Sequence, residues 1–198
     1  MIEIEKKFIL TKEQEENLIK DSEFLGEKKF TDTYYDDSNY SLTTKDIWLR
    51  SRDGKFELKI PMNVSTEERV SDQYREIENE NEIKEYFKFD NSKSILELLN
   101  KKEYKPFCVI TTMRRKYKKE EFIIDLDIMD FGHRLAEIEF MTKNESKIQE
   151  ATNAIIKFAE KYNITSDNAT SVRGKVVEYL RRNNPKHFQA LIEAEVIK

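Results

Sequence analysis

Most of the strands that this sequence predicts carry formal charges on one face and apolar side chains on the other. In the first, residues 2–10, the alternation of side chains across a strand puts Glu3, Glu5 and Lys7 on one face. The same spacing of two recurs, and the pairs are sorted by sign. The acidic pairs are Asp125/Asp127 and Glu137/Glu139, and the basic pairs are Arg50/Arg52 and Arg114/Lys116. The fold must either expose these faces to water or bring opposite charges together.

Like charges two residues apart repel one another unless something of opposite sign lies between them. Carboxylates that converge from several strands suit a divalent hard cation, which takes oxygen ligands. Converging arginines and lysines suit an anion, and the arginine fork fits phosphate. A closed barrel with its charged faces inward and helices over its apolar faces meets both demands. An ordinary sheet with one solvated face shows the same alternation, so the pattern alone leaves both interpretations open.

Turn and capping signals divide the chain into about eight strands and a helical C-terminal third. Asp53-Gly54 predicts a two-residue hairpin turn between strands at 46–52 and 55–60. Thr11 followed by Gln14 predicts a capping box that opens a helix through Asp21. The other predicted strands are 28–36, 72–78, 107–118, 121–129 and 134–141. The other predicted helices are 83–89, 94–99, 145–162, 169–182 and 185–196, and 63–70 is predicted as a mobile loop.

Composition bounds the size and the partners of the protein. Its 198 residues suit one domain, residues 1–198. Lys and Arg number 35 against 39 Asp and Glu, and this near balance argues against a nucleic-acid binder. No apolar run approaches the roughly 18 residues of a membrane span, the N-terminus has no signal-peptide core, and the single Cys108 permits no internal disulfide. We expect a cytoplasmic monomer with neither a membrane nor a nucleic acid as partner.

Several motifs, in order along nearly the whole chain, resemble a known family. Glu3-Ile4-Glu5-Lys6-Lys7 resembles the ExExK signature of the CYTH, or triphosphate tunnel metalloenzyme, superfamily. One such motif is weak evidence, but many in order are specific. The others resemble the animal-type thiamine triphosphatases of that superfamily: residues 30–36, 48–52, 57–59, Asp125-Leu126-Asp127 followed by Asp130-Phe131-Gly132, Glu137-Ile138-Glu139, Lys175 ahead of Tyr179-Leu180, and a last helix at 185–193.

The resemblance implies a fold, an activity and a set of site residues. The fold is α+β, a closed eight-stranded antiparallel β-barrel tunnel with helices packed outside. The activity is hydrolysis of a small-molecule triphosphate, thiamine triphosphate, with Mg²⁺ as cofactor and Mn²⁺ as the alternative ion. By motif position, the metal ligands are Glu3, Glu5, Asp125, Asp127, Glu137 and Glu139. The substrate-binding residues are Lys7, Trp48, Arg50, Arg52, Lys59, Arg114 and Lys175, with Trp48 stacking on the thiamine. The catalytic residues are Glu3, Glu5, Lys7, Tyr34 and Lys59, and Glu76 occupies a further inward position.

Other functions stay open from the sequence. An inorganic tripolyphosphatase or a nucleoside triphosphatase would hold the phosphates in the same way and differ around Trp48, which is also compatible with a core aromatic. The thiamine-type motifs argue against a class IV adenylyl cyclase, and a non-catalytic polyphosphate or nucleotide binder has no need of so many carboxylates. Nothing places His133 or His187 beside a nucleophile. Asp130-Phe131-Gly132 predicts a turn.

Overall fold

Eight antiparallel strands close into a barrel in the computed structural model, which describes residues 2–62, 72–142, 144–165 and 172–197. The strands are β1 (Ile2–Phe8), β2 (Glu23–Asp36), β3 (Trp48–Arg52), β4 (Lys55–Pro61), β5 (Asp72–Ile77), β6 (Lys105–Lys119), β7 (Phe122–Met129) and β8 (Arg134–Thr142). Around the barrel their order is β1-β5-β4-β3-β2-β6-β7-β8, and β8 pairs with β1. The predicted closed antiparallel barrel is confirmed. The predicted loop at 63–70 lies outside the described residues.

Six α-helices accompany the barrel in the described part of the chain. They are α1 (Lys12–Ile19), α2 (Glu80–Tyr86), α3 (Ile95–Lys101), α4 (Ile148–Glu160), α5 (Lys175–Asn183) and α6 (Pro185–Glu193). Short 3₁₀ helices at Thr43–Lys45 and Glu145–Lys147 precede β3 and α4. None of the described helices is both long and apolar enough to cross a membrane.

Two local signals form the structures that they predict. Asp53 (φ 48°) and Gly54 (φ 86°) both take left-handed conformations, as a tight turn between antiparallel strands requires, and they join β3 to β4. At the start of α1, the Thr11 hydroxyl accepts a hydrogen bond from the Gln14 backbone N–H at 3.2 Å. The Gln14 side chain accepts one from the Thr11 N–H at 3.0 Å, which completes the capping box.

Several element boundaries differ from the prediction, among them the starts of β2, α2 and α5. Strand β2 begins at Glu23 rather than at residue 28, because its pairing with β6 continues to Glu23 opposite Lys118. Helix α2 begins at Glu80 rather than at residue 83, because the Asn79 side chain accepts from the N–H groups of its first turn. Helix α5 begins at Lys175. Residues 172–174 of the predicted helix are not helical, and residues 169–171 lie outside the described chain.

Apolar side chains on the outward strand faces pack under the helices. On one side α4 lies against β1 and β8, where Ile4, Ile138 and Phe158 are buried in one cluster. On another side α2 and α3 cover the outer face of β4, with Leu58 and Leu98 in a second cluster. Burial of each such side chain contributes about 1.5–3 kcal/mol. The helices therefore cover the apolar faces and leave the charged faces turned into the barrel.

The inward faces are not charged along their whole length. Toward one end of the barrel the same faces carry a third cluster, which we call the apolar end: Tyr34, Trp48, Tyr74, Cys108, Ile110, Met129 and Leu135. Val176 and Leu180 of α5 and Leu191 of α6 belong to this cluster. The two C-terminal helices therefore pack onto the apolar end, and the charged part of the interior begins beside it.

Candidate active site

Three neighbouring strands, β7, β8 and β1, carry most of the interior carboxylates. Glu5 pairs across strands with Glu139, and Asp125 pairs with Glu137. We call the whole set the acidic wall; its members, all buried, are Glu3, Glu5, Asp125, Asp127, Glu137 and Glu139. These are the six residues that the resemblance assigns to the metal, and the fold brings them to one side of the barrel.

Oxygen atoms of the acidic wall gather closely enough to hold cations. Glu3, Glu5 and Glu139 form one group, and Asp125, Glu137 and Glu139 form another, each with its ligand atoms within 4.8 Å of one another. Asp125 Oδ1 is buried and has no hydrogen-bond partner among the described residues. A donor set made only of carboxylate oxygens fits a hard divalent cation such as Mg²⁺ or Mn²⁺. Asp127 belongs to neither group.

Burial disfavours full ionisation of the acidic wall. It raises the pKa of Glu5 to about 7, although Lys7 opposes the shift. It also raises the pKa of Glu3 and, together with the charge of Asp125, holds that of Glu139 well above its usual range. Glu137 behaves differently, because Arg114 and Lys7 outweigh its burial and lower its pKa to about 2. The protein by itself therefore neutralises only part of this wall.

Arg114, predicted to bind phosphate, lies within the acidic wall. Its Nε and Nη2 donate to the two Asp127 oxygens, each at 2.6 Å, and Nη2 also donates to Glu137 at 2.8 Å. Nη1 donates to Asp125 as well. Arg114 is thus the principal internal counter-ion of this wall, and its contact with phosphate stays a prediction.

The strands β4, β3 and β2 lie across the barrel from the acidic wall. We call their cations, together with the lysine that α5 adds, the basic wall; its members are Arg50, Arg52, Lys59 and Lys175. Three of them converge on Asp32, which is fully buried. Arg52 donates to both Asp32 oxygens at 2.8 and 3.2 Å, Lys175 Nζ donates at 2.5 Å, and Arg50 lies at 3.8 Å. Burial alone would raise the pKa of Asp32, but these cations hold it far below its usual range.

Other carboxylates hold Arg50 and the fourth cation of the basic wall, Lys59. Arg50 Nη2 lies 2.6 Å from Glu57, and Lys59 Nζ lies 2.7 Å from Glu3 and 2.6 Å from Glu76. Lys59 therefore bridges the two walls. Glu76, predicted at an inward position, is found beside it.

Two anions of this region, Asp32 and Glu57, were not predicted as site residues. Both lie on inward faces, Asp32 with Tyr34 on β2 and Glu57 with Lys59 on β4, so side-chain parity was the signal that could have found them. Their role as internal partners of the arginines depends on the pairing of β2 with β3 and of β3 with β4. That pairing is a property of the closed barrel.

The aromatic ring of Phe30, also missed, lies between the two walls. The Arg52 guanidinium lies 4.1 Å from the ring centroid, Lys175 Nζ 5.2 Å and the Arg114 guanidinium 5.6 Å. These distances are within the range of cation–π attraction. The ring therefore adds an attractive contact for cations of both walls.

Lys7 and Lys175 both lie near the start of α5. The Lys7 ammonium pairs with Glu5, and its aliphatic stem packs on Gly174, where a Cβ would lie 3.2 Å from Lys7 Cε. The next residue, Lys175, points to Asp32. Burial lowers the pKa of Lys175 to about 8, although Asp32 opposes the shift. The start of this helix therefore contributes to both walls.

Tyr34 and Trp48 lie where the charged interior meets the apolar end. The Tyr34 hydroxyl accepts a hydrogen bond from Arg50 Nη1 at 3.3 Å. Trp48 is the cross-strand partner of Lys59, and its Nε1 donates to Asp46 at 2.8 Å. Trp48 is therefore both a buried aromatic and a neighbour of the basic wall. Its stacking on a substrate stays a prediction.

The two histidines serve packing and hydrogen bonding. His187 Nε2 lies 2.7 Å from the Thr43 hydroxyl, which donates its own proton to Asp36, so Nε2 is the donor to Thr43. Burial lowers the pKa of His187 to about 4. His133 bonds to the backbone carbonyl of Arg173.

The predicted turn at Asp130-Phe131-Gly132 is confirmed, since the Gly132 N–H bonds to the Met129 carbonyl at 2.9 Å.

Known proteins resemble this chain over most of its length. The family model described as the CYTH domain matches residues 1–171. The thiamine-triphosphatases of Macaca fascicularis and Homo sapiens are each 26% identical over 215 residues, which cover 100% and 98% of this chain and 92% and 90% of those proteins. The X-ray structure of a putative adenylate cyclase from Vibrio parahaemolyticus has a TM-score of 0.65 at 18% identity, covering 91% of this chain and 98% of that one.

At 18% sequence identity, the similarity to the Vibrio parahaemolyticus structure supports only the fold, the closed barrel. The family match is broader, because it includes all eight strands and every member of the acidic wall. On that match, this chain belongs to the CYTH domain family.

Proposed function

We propose that this protein hydrolyses thiamine triphosphate to thiamine diphosphate and phosphate, with Mg²⁺ as cofactor. The observation that carries the proposal is the arrangement of the interior, in which the acidic wall lies across from the basic wall and Trp48 pairs beside Lys59. A triphosphate with an aromatic head group needs these three features together. The curated relatives at 26% identity, both thiamine-triphosphatases, support the choice of head group.

The residues of the acidic wall fit a divalent cation, as their all-oxygen donor groups and the unpartnered Asp125 Oδ1 indicate. The ion would be held by the groups Glu3, Glu5 and Glu139 or Asp125, Glu137 and Glu139. When bound, it supplies charge neutralisation for the phosphate oxygens and activation of water. Asp127 supports the wall from outside these groups by orienting Arg114.

The chain's own residues would bind and orient the triphosphate. Arg50, Arg52, Lys59 and Lys175 form an anion site whose geometry is set in advance by Asp32 and Glu57. Phosphoryl transfer depends chiefly on positioning and on electrostatic stabilisation of the leaving group. In the reaction a water oxygen bonds to the terminal phosphorus while the bond to the bridging oxygen breaks. The basic wall would then stabilise the charge that develops on the departing diphosphate.

The proposal includes three further predictions made from the sequence. Residues 1–198 act as a single domain, the protein acts as a cytoplasmic monomer, and a small-molecule triphosphate, with no nucleic acid, is its partner. The charge balance of 35 basic against 39 acidic residues supports the last of these.

The deciding experiment is a parallel assay of phosphate release from thiamine triphosphate, inorganic tripolyphosphate and ATP, each with Mg²⁺ and with EDTA. We expect metal-dependent turnover and the highest kcat/KM for thiamine triphosphate. A much higher kcat/KM for tripolyphosphate or ATP would show that thiamine triphosphate is not the preferred substrate, while the proposed triphosphatase activity would stand. If none of the three is turned over in a metal-dependent way, the proposed enzyme activity is wrong, and a phosphate-binding function is left.

Trp48→Ala tests the head group separately. We expect this change to lower kcat/KM for thiamine triphosphate by about 10-fold or more, the order of one lost aromatic contact of 1–2 kcal/mol, and to affect tripolyphosphate little. Equal losses on both substrates would mean that Trp48 is only a core residue.

A further inference from the structure

Asp46 occupies an unusual backbone position beside the aromatic residues of the tunnel. It follows the 3₁₀ helix Thr43–Lys45 in a left-handed conformation (φ 59°), and its N–H bonds to the Thr43 carbonyl at 3.0 Å. Asp and Asn are among the few residues with a side chain that adopt this conformation readily. The side chain of Asp46 is buried, and it lies two residues before Trp48.

One oxygen of this carboxylate accepts two hydrogen bonds. Trp48 Nε1 donates to Asp46 Oδ1 at 2.8 Å, and the Tyr74 hydroxyl donates to the same atom at 2.8 Å. The indole N–H is the only polar group of Trp48, so this bond sets the direction of the ring. Hydrogen bonds to a charged acceptor are stronger than neutral ones. Asp46 thus holds two aromatic side chains that come from different strands.

Both aromatic residues flank a lysine of the basic wall. Trp48 pairs across strands with Lys59, and Lys59 Nζ lies 5.8 Å from the centroid of the Tyr74 ring. The contacts of Asp46 therefore fix the aromatic residues relative to the group that would bind phosphate. A change at Asp46 would move the rings while leaving the carboxylate partners of the cations in place.

We propose that Asp46 is a positioning residue that makes the site selective for a triphosphate bearing an aromatic head group over bare tripolyphosphate. This inference rests on the proposed function and adds a determinant of its selectivity. Asp46 acts through Trp48 and Tyr74. Tripolyphosphate has no ring to place against them, so its turnover does not depend on their orientation.

Asp46→Gly and Asp46→Asn form a matched pair of variants, because both residues tolerate the left-handed backbone. Glycine removes the acceptor, whereas asparagine keeps one acceptor oxygen. In Asp46→Gly we expect KM for thiamine triphosphate to rise about tenfold, as loss of a hydrogen bond to a charged group predicts, and KM for tripolyphosphate to stay within about twofold. Asp46→Asn retains most of the selectivity.

Intrinsic fluorescence gives a readout that needs no substrate. Trp48 is the only tryptophan of the chain, so the emission of the protein is the emission of this ring. In Asp46→Gly we expect a red shift and stronger quenching by acrylamide, because the ring is no longer held. Asp46→Asn keeps an emission close to that of the wild type.

Three results would overturn the inference. The first is unchanged selectivity in Asp46→Gly, whatever its emission, and the second is an equal loss on thiamine triphosphate and tripolyphosphate in that variant. The third is a loss of selectivity in Asp46→Asn as large as in Asp46→Gly. If Asp46→Gly does not fold, Trp48→Phe tests the same bond from the donor side, and full retention of selectivity there contradicts the inference.

The wild-type assay separates this inference from the proposed function. If the wild-type protein does not prefer thiamine triphosphate, the proposed function fails and the selectivity assigned to Asp46 fails with it. If the wild type does prefer it and Asp46→Gly keeps that preference, the function stands and only the inference is wrong.

Discussion

The two carboxylates that hold the arginines of the basic wall, Asp32 and Glu57, have lowered pKa values, whereas most carboxylates of the acidic wall have raised ones. Asp32 is buried and Glu57 is half-buried, and burial opposes the ionisation of both. Arg52, Lys175 and Arg50 outweigh this effect at Asp32, and Arg50 and Lys59 outweigh it at Glu57. For Glu3, Glu5 and Glu139, burial dominates. Within the basic wall, each arginine thus has a carboxylate of the protein as its partner. Within the acidic wall, the protein has too few cations to neutralise the carboxylates.

This difference suggests how each wall prepares for a ligand. The basic wall is assembled before any anion arrives, because Asp32 and Glu57 already orient its guanidinium groups. The acidic wall has Arg114 as its main internal partner, and its remaining charge favours a cation from solution. Removing a carboxylate should therefore have opposite effects on stability in the two walls.

The largest expected effect is on activity. Glu139 belongs to both cation-holding groups, so Glu139→Gln should lower metal-dependent kcat/KM by about a hundredfold or more. Titration of the activity with Mg²⁺ measures this loss. Glu121→Gln is the matched control, since Glu121 is exposed in the turn before β7. Similar activity of the two variants would show that Glu139 is not a metal ligand.

The next effect is on thermal stability: measured in EDTA, the Tm should fall in Asp32→Asn and rise in Glu139→Gln. Asp32→Asn should destabilise the protein by roughly 3 kcal/mol, because the buried Lys175 and the half-buried Arg52 both lose their charged partner. Glu139→Gln should raise Tm by about 2–4 °C. The ionised form of Glu139 is unfavourable in the folded state, and its removal relieves on the order of 1 kcal/mol in a protein of this size. A fall in Tm for both variants would contradict the contrast between the walls.

The smallest effect concerns pH. Because the pKa of Lys175 is lowered to about 8, this lysine loses its positive charge in the free protein as the pH rises above that value. We expect kcat/KM to fall by up to about tenfold per pH unit above pH 8. Lys175→Arg keeps its charge and should lack this alkaline decline. If both proteins decline together, another group is responsible.

Much of the site could be predicted from the sequence because side-chain parity is local. A strand turns alternate residues to opposite faces wherever it lies, so Glu3 and Glu5, or Glu137 and Glu139, share a face in any strand. The Asp53-Gly54 turn and the Thr11 cap are local for the same reason. Asp32 and Asp46 were missed because their partners come from other strands or from a turn of uncommon geometry. The resemblance assigns Arg114 to the substrate by motif position, but its contacts with Asp127 on β7 and Glu137 on β8 depend on strand pairing and could not be predicted from the sequence.

By itself, the sequence determined which residues share a face, where the tight turns fall and which family the motifs resemble. The tertiary structure decided that β7, β8 and β1 are neighbours, so that six carboxylates meet on one side of the barrel. It also decided that Asp32 meets three cations, and that the interior passes from charged to apolar beneath α5 and α6. The physical reason is that the alternation of faces repeats every two residues along one strand, whereas the meeting of two walls depends on the order in which distant strands pair to close the barrel.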